Sequence, residues 1–103
     1  MKKVINGKLY DTEKAVFIAS YRYSNPSDFK HIEEDLYKTK KGNYFLAGGG
    51  GPMSKYAVSL GDNQTGGSSD VITPLTAQEA REWCESREVD ADIITREFDI
   101  EEA

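Results

Sequence analysis

The sequence predicts an α+β domain: an antiparallel β meander of about three to five strands, packed with a C-terminal helix pair and one short N-terminal helix. Three observations carry this reading. Residues 18–48 alternate apolar and polar side chains between turn signals, the pattern of half-buried strands. Residues 76–98 hold two runs of helical period, each opened by a capping residue. Hydrophobic residues make up 38% of 103 positions and charged residues 30%, enough for one modest core and no more. The chain is read as a single domain over residues 1–103.

Each element has its own warrant. In "KKVINGKLY", Asn6-Gly7 tolerates the positive φ angles of a tight hairpin turn. In "DTEKAVF", Asp11 or Thr12 is a capping residue and Glu13 suits a first turn, so a short helix is expected from about Thr12 to Phe17. Ile18 to Ser24 alternates and is rich in aromatics, as a strand is, and Asn25-Pro26 ends it. From Lys30 to Thr39, Ile32, Glu34, Leu36 and Lys38 share one strand face and His31, Glu33, Asp35 and Tyr37 the other. Gly42 turns the chain, and "NYFLAG" returns as a third strand that the glycines end. Residues 62–69, "DNQTGGSS", read as a polar loop. "DVITPL" reads as a short strand, and Pro74 near its end points to an edge or a terminus. "TAQEAREWCESRE" is the clearest helix. Thr76 and Glu79 match the capping box, and Ala77, Ala80, Trp83 and Cys84, with the Arg87 stem, form its buried face. Asp90 caps a second, shorter helix whose buried side is Ile93, Ile94 and Phe98.

"GGGG", Gly48 to Gly51, invites a phosphate-loop reading, which the register refuses. G-x-x-x-x-G-K-[ST] from Gly48 needs glycine, lysine and serine or threonine at positions 53, 54 and 55; the chain has Met53, Ser54 and Lys55. The dinucleotide pattern G-x-G-x-x-G fails at Met53 from Gly48 and at Ser54 from Gly49. Beyond a plain flexible loop, two uses remain for the run. At least one glycine adopts a positive φ, which is the expectation here, or the backbone packs too closely for a Cβ.

Catalytic chemistry finds little footing. His31 is the only histidine and Cys84 the only cysteine, so a multi-ligand zinc cluster has no donors. Cys84 follows Trp83 on the presumed buried face of a helix, where it packs rather than reacts. G-x-S-x-G is missing. Of Glu33-Glu34-Asp35, only Glu33 and Asp35 share a face, and a solvated strand face is the expected use. The expectation is a protein that is not an enzyme and needs no cofactor. Without a long apolar run or a signal-peptide core, a cytoplasmic location is expected.

Charge is unevenly spread. Residues 1–56 hold ten Lys/Arg against six Asp/Glu, whereas residues 76–103 hold three Arg against ten Asp/Glu. Glu79, Glu82, Glu85 and Glu88 recur every third residue as a ridge on the first helix. Such a ridge is either a solvated face or a surface for a basic partner. Lys40 and Lys41 in the β turn, with Tyr44 as a stacking ring, form the contrasting candidate for nucleic acid.

"INGKLYDTEKA", "LYKTKKGNYFLAGGGGPMSKYA" and "ITPLTAQEAREWCE" together resemble a family of small, mostly uncharacterised proteins of bacterial mobile elements and phages. Inhibitors of bacterial immune systems, anti-CRISPR proteins among them, belong to that class. The resemblance implies an interaction protein that binds a host defence nuclease or effector complex, a CRISPR effector for example, and occludes its nucleic-acid site. It carries no catalytic residues. The alternative is a small nucleic-acid-binding accessory protein of a mobile element.

Overall fold

A computed structural model describes all 103 residues as eight strands and two helices. Strands β3 (Val16–Tyr23), β4 (Ile32–Lys38), β5 (Tyr44–Gly50) and β8 (Ser68–Leu75) form one antiparallel sheet in the order β3-β4-β5-β8. Strands β1 (Lys2–Ile5) and β2 (Lys8–Asp11) make an N-terminal hairpin, and β6 (Val58–Gly61) and β7 (Gln64–Gly66) make a second one. Helices α1 (Ala77–Ser86) and α2 (Ala91–Glu97) follow. No helix is long and apolar enough to cross a membrane.

The two sheet faces bury different clusters. Leu36, Tyr44 and Leu46 meet Ala80, Trp83 and Cys84 of α1 on the helix face. Phe45, Ala47 and Ile72 meet Tyr10 of β2 on the hairpin face. Strand alternation produces this division, because neighbouring residues of β5 point to opposite sides. Only 17 residues are buried and the molecule measures 50 × 34 × 20 Å, so the core is thin. Full burial of a Leu36 or Phe45 side chain contributes about 1.5–3 kcal/mol, and few residues share that work.

The α+β class, the Asn6-Gly7 hairpin and both capped helices stand as expected. Asn6 and Gly7 take φ values of 51° and 75°. Thr76 Oγ1 accepts from the Glu79 N–H at 3.1 Å while the Glu79 carboxylate accepts from the Thr76 N–H at 2.8 Å. Pro74 sits on the edge strand β8, opposite Phe45.

Four expectations are corrected. The helix over Thr12–Phe17 does not form. Asp11 caps one turn through the N–H groups of Glu13, Lys14 and Ala15, and Val16 then starts β3. One turn is too short to offset helix nucleation, whereas Phe17 in the strand gains an edge-on contact with Tyr37 at 5.8 Å. The polar stretch after Gly61 is not a plain loop: Asp62 and Asn63, at φ 48° and 61°, turn the β6-β7 hairpin. The final strand starts at Ser68, ahead of Asp70. Lastly, the glycines do not end the third strand but continue it through Gly50, and none of Gly48 to Gly51 has a positive φ.

Close approach is what the glycine run provides. A Cβ on Gly48 would meet the Glu33 carbonyl, on Gly49 the Ser68 carbonyl, on Gly51 the Phe29 carbonyl, and on Gly50 both Ser54 Oγ and the His31 carbonyl at 2.7 Å. At Gly48, Gly49 and Gly51 the nearest obstacle is a backbone carbonyl, which cannot step aside cheaply. Gly48→Ala, Gly49→Ala and Gly51→Ala should therefore each cost about 1–3 kcal/mol. Gly66→Ala, where the neighbour is only the Leu60 side chain at 3.0–3.4 Å, should cost less. Urea melts of the four variants check this; a silent Gly49→Ala would refute the close-packing account.

Candidate functional site

The run from Gly51 to Ala57 folds back against the helix face. Its backbone is tied by the Gly51 N–H to the His31 carbonyl at 3.0 Å and the Met53 N–H to the Phe29 carbonyl at 2.8 Å. Ser54 Oγ donates to the Gly51 carbonyl and accepts from the Tyr56 N–H. The glycines let this backbone close on the sheet, and the result carries Lys55 and Tyr56 to Glu34.

Glu34 is fully buried, between Ile32 and Leu36 on the helix face of β4. Its Oε1 accepts from Trp83 Nε1 at 2.9 Å and Arg87 Nη2 at 3.1 Å. Its Oε2 accepts from the Tyr56 hydroxyl and from Lys55 Nζ, each at 2.5 Å. Four side chains, from the 51–57 run and the end of α1, thus converge on one carboxylate. Arg87 also lies over the Tyr21 ring, 4.1 Å from its centre, a cation–π contact. Burial pushes the Glu34 carboxyl up, but hydrogen bonds from Lys55, Tyr56 and Trp83 and the Lys55 charge outweigh it, and the group ends below its ordinary value. Burial, then the Glu34 hydrogen bond, raises the Tyr56 phenol. At neutral pH the pair is a carboxylate and a neutral hydroxyl donor. Both of its carboxylate oxygens are fully occupied, so Glu34 is an anchor for the fold rather than an acid or base toward a substrate.

Beside this anchor runs a groove of about 620 Å³ between α1 and the β5–β8 half of the sheet. Leu46, Val71, Leu75 and Trp83 supply its apolar surface, and Glu79 and Glu82 line its α1 side. Lys55 and Tyr56 also reach its wall. The groove exists because α1 packs over Leu36 and Leu46 and leaves Thr73 of β8 exposed.

The ridge residues have distinct surroundings. Glu79 is part of the capping box, Glu82 accepts from Gln78 at 2.8 Å, and Glu85 pairs with Arg81 at 3.3 Å. Glu88 lies just past α1 at φ 54°. All four are exposed, but only Glu79 and Glu82 line the groove. Lys40 and Lys41 are exposed in the β4–β5 turn. Tyr44 is corrected: it is 6% exposed, packs on Phe98 and donates to Glu97 at 3.1 Å. Its ring has no free face on which a base could stack. Cys84 is fully buried, and burial pushes its thiol up to about 11, in keeping with a packing role.

Sequence reasoning missed the Glu34 cluster. One signal was present, a glutamate flanked on its own strand face by Ile32 and Leu36. Nothing local linked it to Lys55, Tyr56 or Arg87. Compared with protein-family models, curated proteins and solved structures, the chain matches none. No group of three or more His, Cys, Asp or Glu side chains is placed to hold a metal ion.

Proposed function

We propose that this chain is an interaction protein that presents an acidic helical layer to a basic, nucleic-acid-binding surface of a partner. The observation that carries the reading is the uncompensated charge of that layer. Residues 76–103 hold ten Asp/Glu and three Arg. Of the arginines, Arg87 is taken by buried Glu34 and Arg81 by Glu85. Most of the acids therefore face outward without a cation. Such a face steers association with a basic channel and competes with the phosphates that normally occupy it. The resemblance of its sequence phrases to mobile-element proteins makes a bacterial defence nuclease or effector complex the favoured partner class, and occlusion of its nucleic-acid site the mode of inhibition.

The test is expression of the chain in cells where a CRISPR nuclease blocks establishment of a plasmid. The wild-type chain should restore transformation. Glu82→Lys with Glu85→Lys should lose that protection by about tenfold or more, because reversed charges slow a steered association. Glu79 is left intact because the capping box it completes contributes about 1 kcal/mol of helix stability. Lys40→Glu with Lys41→Glu should keep protection. Binding of the purified chain to the nuclease should weaken as salt rises. Protection by the reversed-charge variant equal to wild type would remove the acidic layer as the contact.

A further inference from the structure

A second surface, independent of the acidic layer, carries the opposite charge. A cavity of about 380 Å³ lies between the N-terminal hairpin and the β4–β5 turn. Four lysines line it: Lys8 from β2, Lys14 from the turn after it, and Lys40 and Lys41 from the β4–β5 turn. None of the four forms an ion pair; the chain's ion-paired cations are Arg22, Lys38, Lys55, Arg81 and Arg87. The one acid on the wall, Asp11, is buried, and its carboxylate accepts from the Glu13 N–H at 3.0 Å. Three separate stretches of a chain of net charge −5 thus bring four of its thirteen Lys/Arg around one concavity. Like charges gathered this way repel one another, and an anion between them relieves the repulsion.

We propose that this cavity binds a phosphate-bearing anion of nucleotide size, either a free nucleotide or one unit of a single nucleic-acid strand. Its volume lies within the range of small-ligand sites, roughly 300–1,000 Å³. Lysine ammonium groups on flexible stems recognise phosphate as point charges. Asn43 and Thr39 on the same wall supply amide and hydroxyl groups for a sugar or base edge. The site lies beside Tyr10, on the hairpin side of the sheet, and owes nothing to Tyr44 or to the Gly48–Gly51 run.

The test is titration of the whole chain with AMP, ATP and a short oligothymidylate, followed by calorimetry and amide chemical shifts. Saturable binding is expected, with shifts at Lys8, Lys14 and the 39–43 turn. Lys8→Gln with Lys14→Gln should weaken it about tenfold or more, and Lys40→Gln with Lys41→Gln likewise, since each pair removes two charge contacts. Lys8→Arg with Lys14→Arg should keep it, which separates charge from folding. Lys2→Gln with Lys3→Gln, on the same hairpin but off the cavity wall, should stay within about twofold. ATP saturation assigns a free nucleotide. Binding by the oligonucleotide alone, falling with salt by about 0.7 log units per log unit for each phosphate neutralised, assigns a strand. Equal loss from the Lys2 and Lys3 pair, or no binding of any of the three anions at millimolar concentration, overturns the proposal.

Discussion

Glu34→Ala should destabilise the chain by about 3–5 kcal/mol, the range for breaking a buried ion pair from one side. The change strands several groups at once. Lys55 is 49% exposed and can return to water, so its share is small. Arg87 is only 22% exposed, and its Nε is already buried without a partner. The Trp83 N–H and the Tyr56 hydroxyl also lose their acceptor, and each unsatisfied buried donor costs about 1–3 kcal/mol. Against a total stability of roughly 5–15 kcal/mol for a domain, such a loss brings the variant close to unfolding at room temperature. Glu34→Gln keeps the shape and one acceptor oxygen and should lose less. The same site sets an acid limit. The carboxyl is held below its ordinary 4.5 in the fold, so its ionised form stabilises the native state above that pH. That contribution falls away as pH drops through the lower, folded value. Urea melts at pH 7 and pH 3 should show wild type losing this part of its stability in acid, while Glu34→Gln, with no proton to gain, loses less. A Glu34→Ala melt within about 1 kcal/mol of wild type would mean that water replaces the carboxylate.

What was legible in the chain follows from the range of the interaction concerned. Thr76 with Glu79, Asp90, and Asn6-Gly7 are local chemistry, complete within a few residues, and all three places fold as their chemistry demands. Alternation from Ile32 to Lys38 told which residues share a face but not what covers that face. For this reason Glu34 could be placed on the face of Ile32 and Leu36 yet be given no role there: its burial depends on α1, about 50 residues later in the chain. Tyr44 failed in the same way, since its burial comes from Phe98 and Glu97 of the last helix. Capping chemistry at Asp11 was real, but one turn of helix lost to a strand that places Phe17 against Tyr37. The glycines posed a question with two answers, conformation or closeness. Only the neighbouring carbonyls of Glu33, Ser68 and Phe29, which lie far along the chain, decide for closeness. The basic cavity needed the hairpin and the 39–43 turn to meet, which no local pattern encodes.

Trp83→Ala should cost about 3–5 kcal/mol, the usual range for truncating a large buried aromatic. Trp83 is 8% exposed and belongs to the cluster of Leu36, Leu46, Ala80 and Cys84 that holds α1 to the sheet. With so few buried residues, little else is available to collapse into the space. Its removal also opens the floor of the groove and takes one donor from Glu34. Trp83→Phe separates these parts. It keeps most of the apolar contact but lacks the Nε1–H, so its cost should be smaller, about 1–2 kcal/mol beyond the reduced area. A double-mutant cycle of Trp83→Phe with Glu34→Gln should return a coupling of about 0.5–3 kcal/mol, because the two side chains share one hydrogen bond. Trp83 is the only tryptophan, so its emission reports the fold of the wild-type chain directly, and circular dichroism serves for the variants. A Trp83→Ala melt within about 1 kcal/mol of wild type would place the indole at the surface rather than in the core. The side chain would then join Glu79 and Glu82 as a contact for a partner seated in the groove.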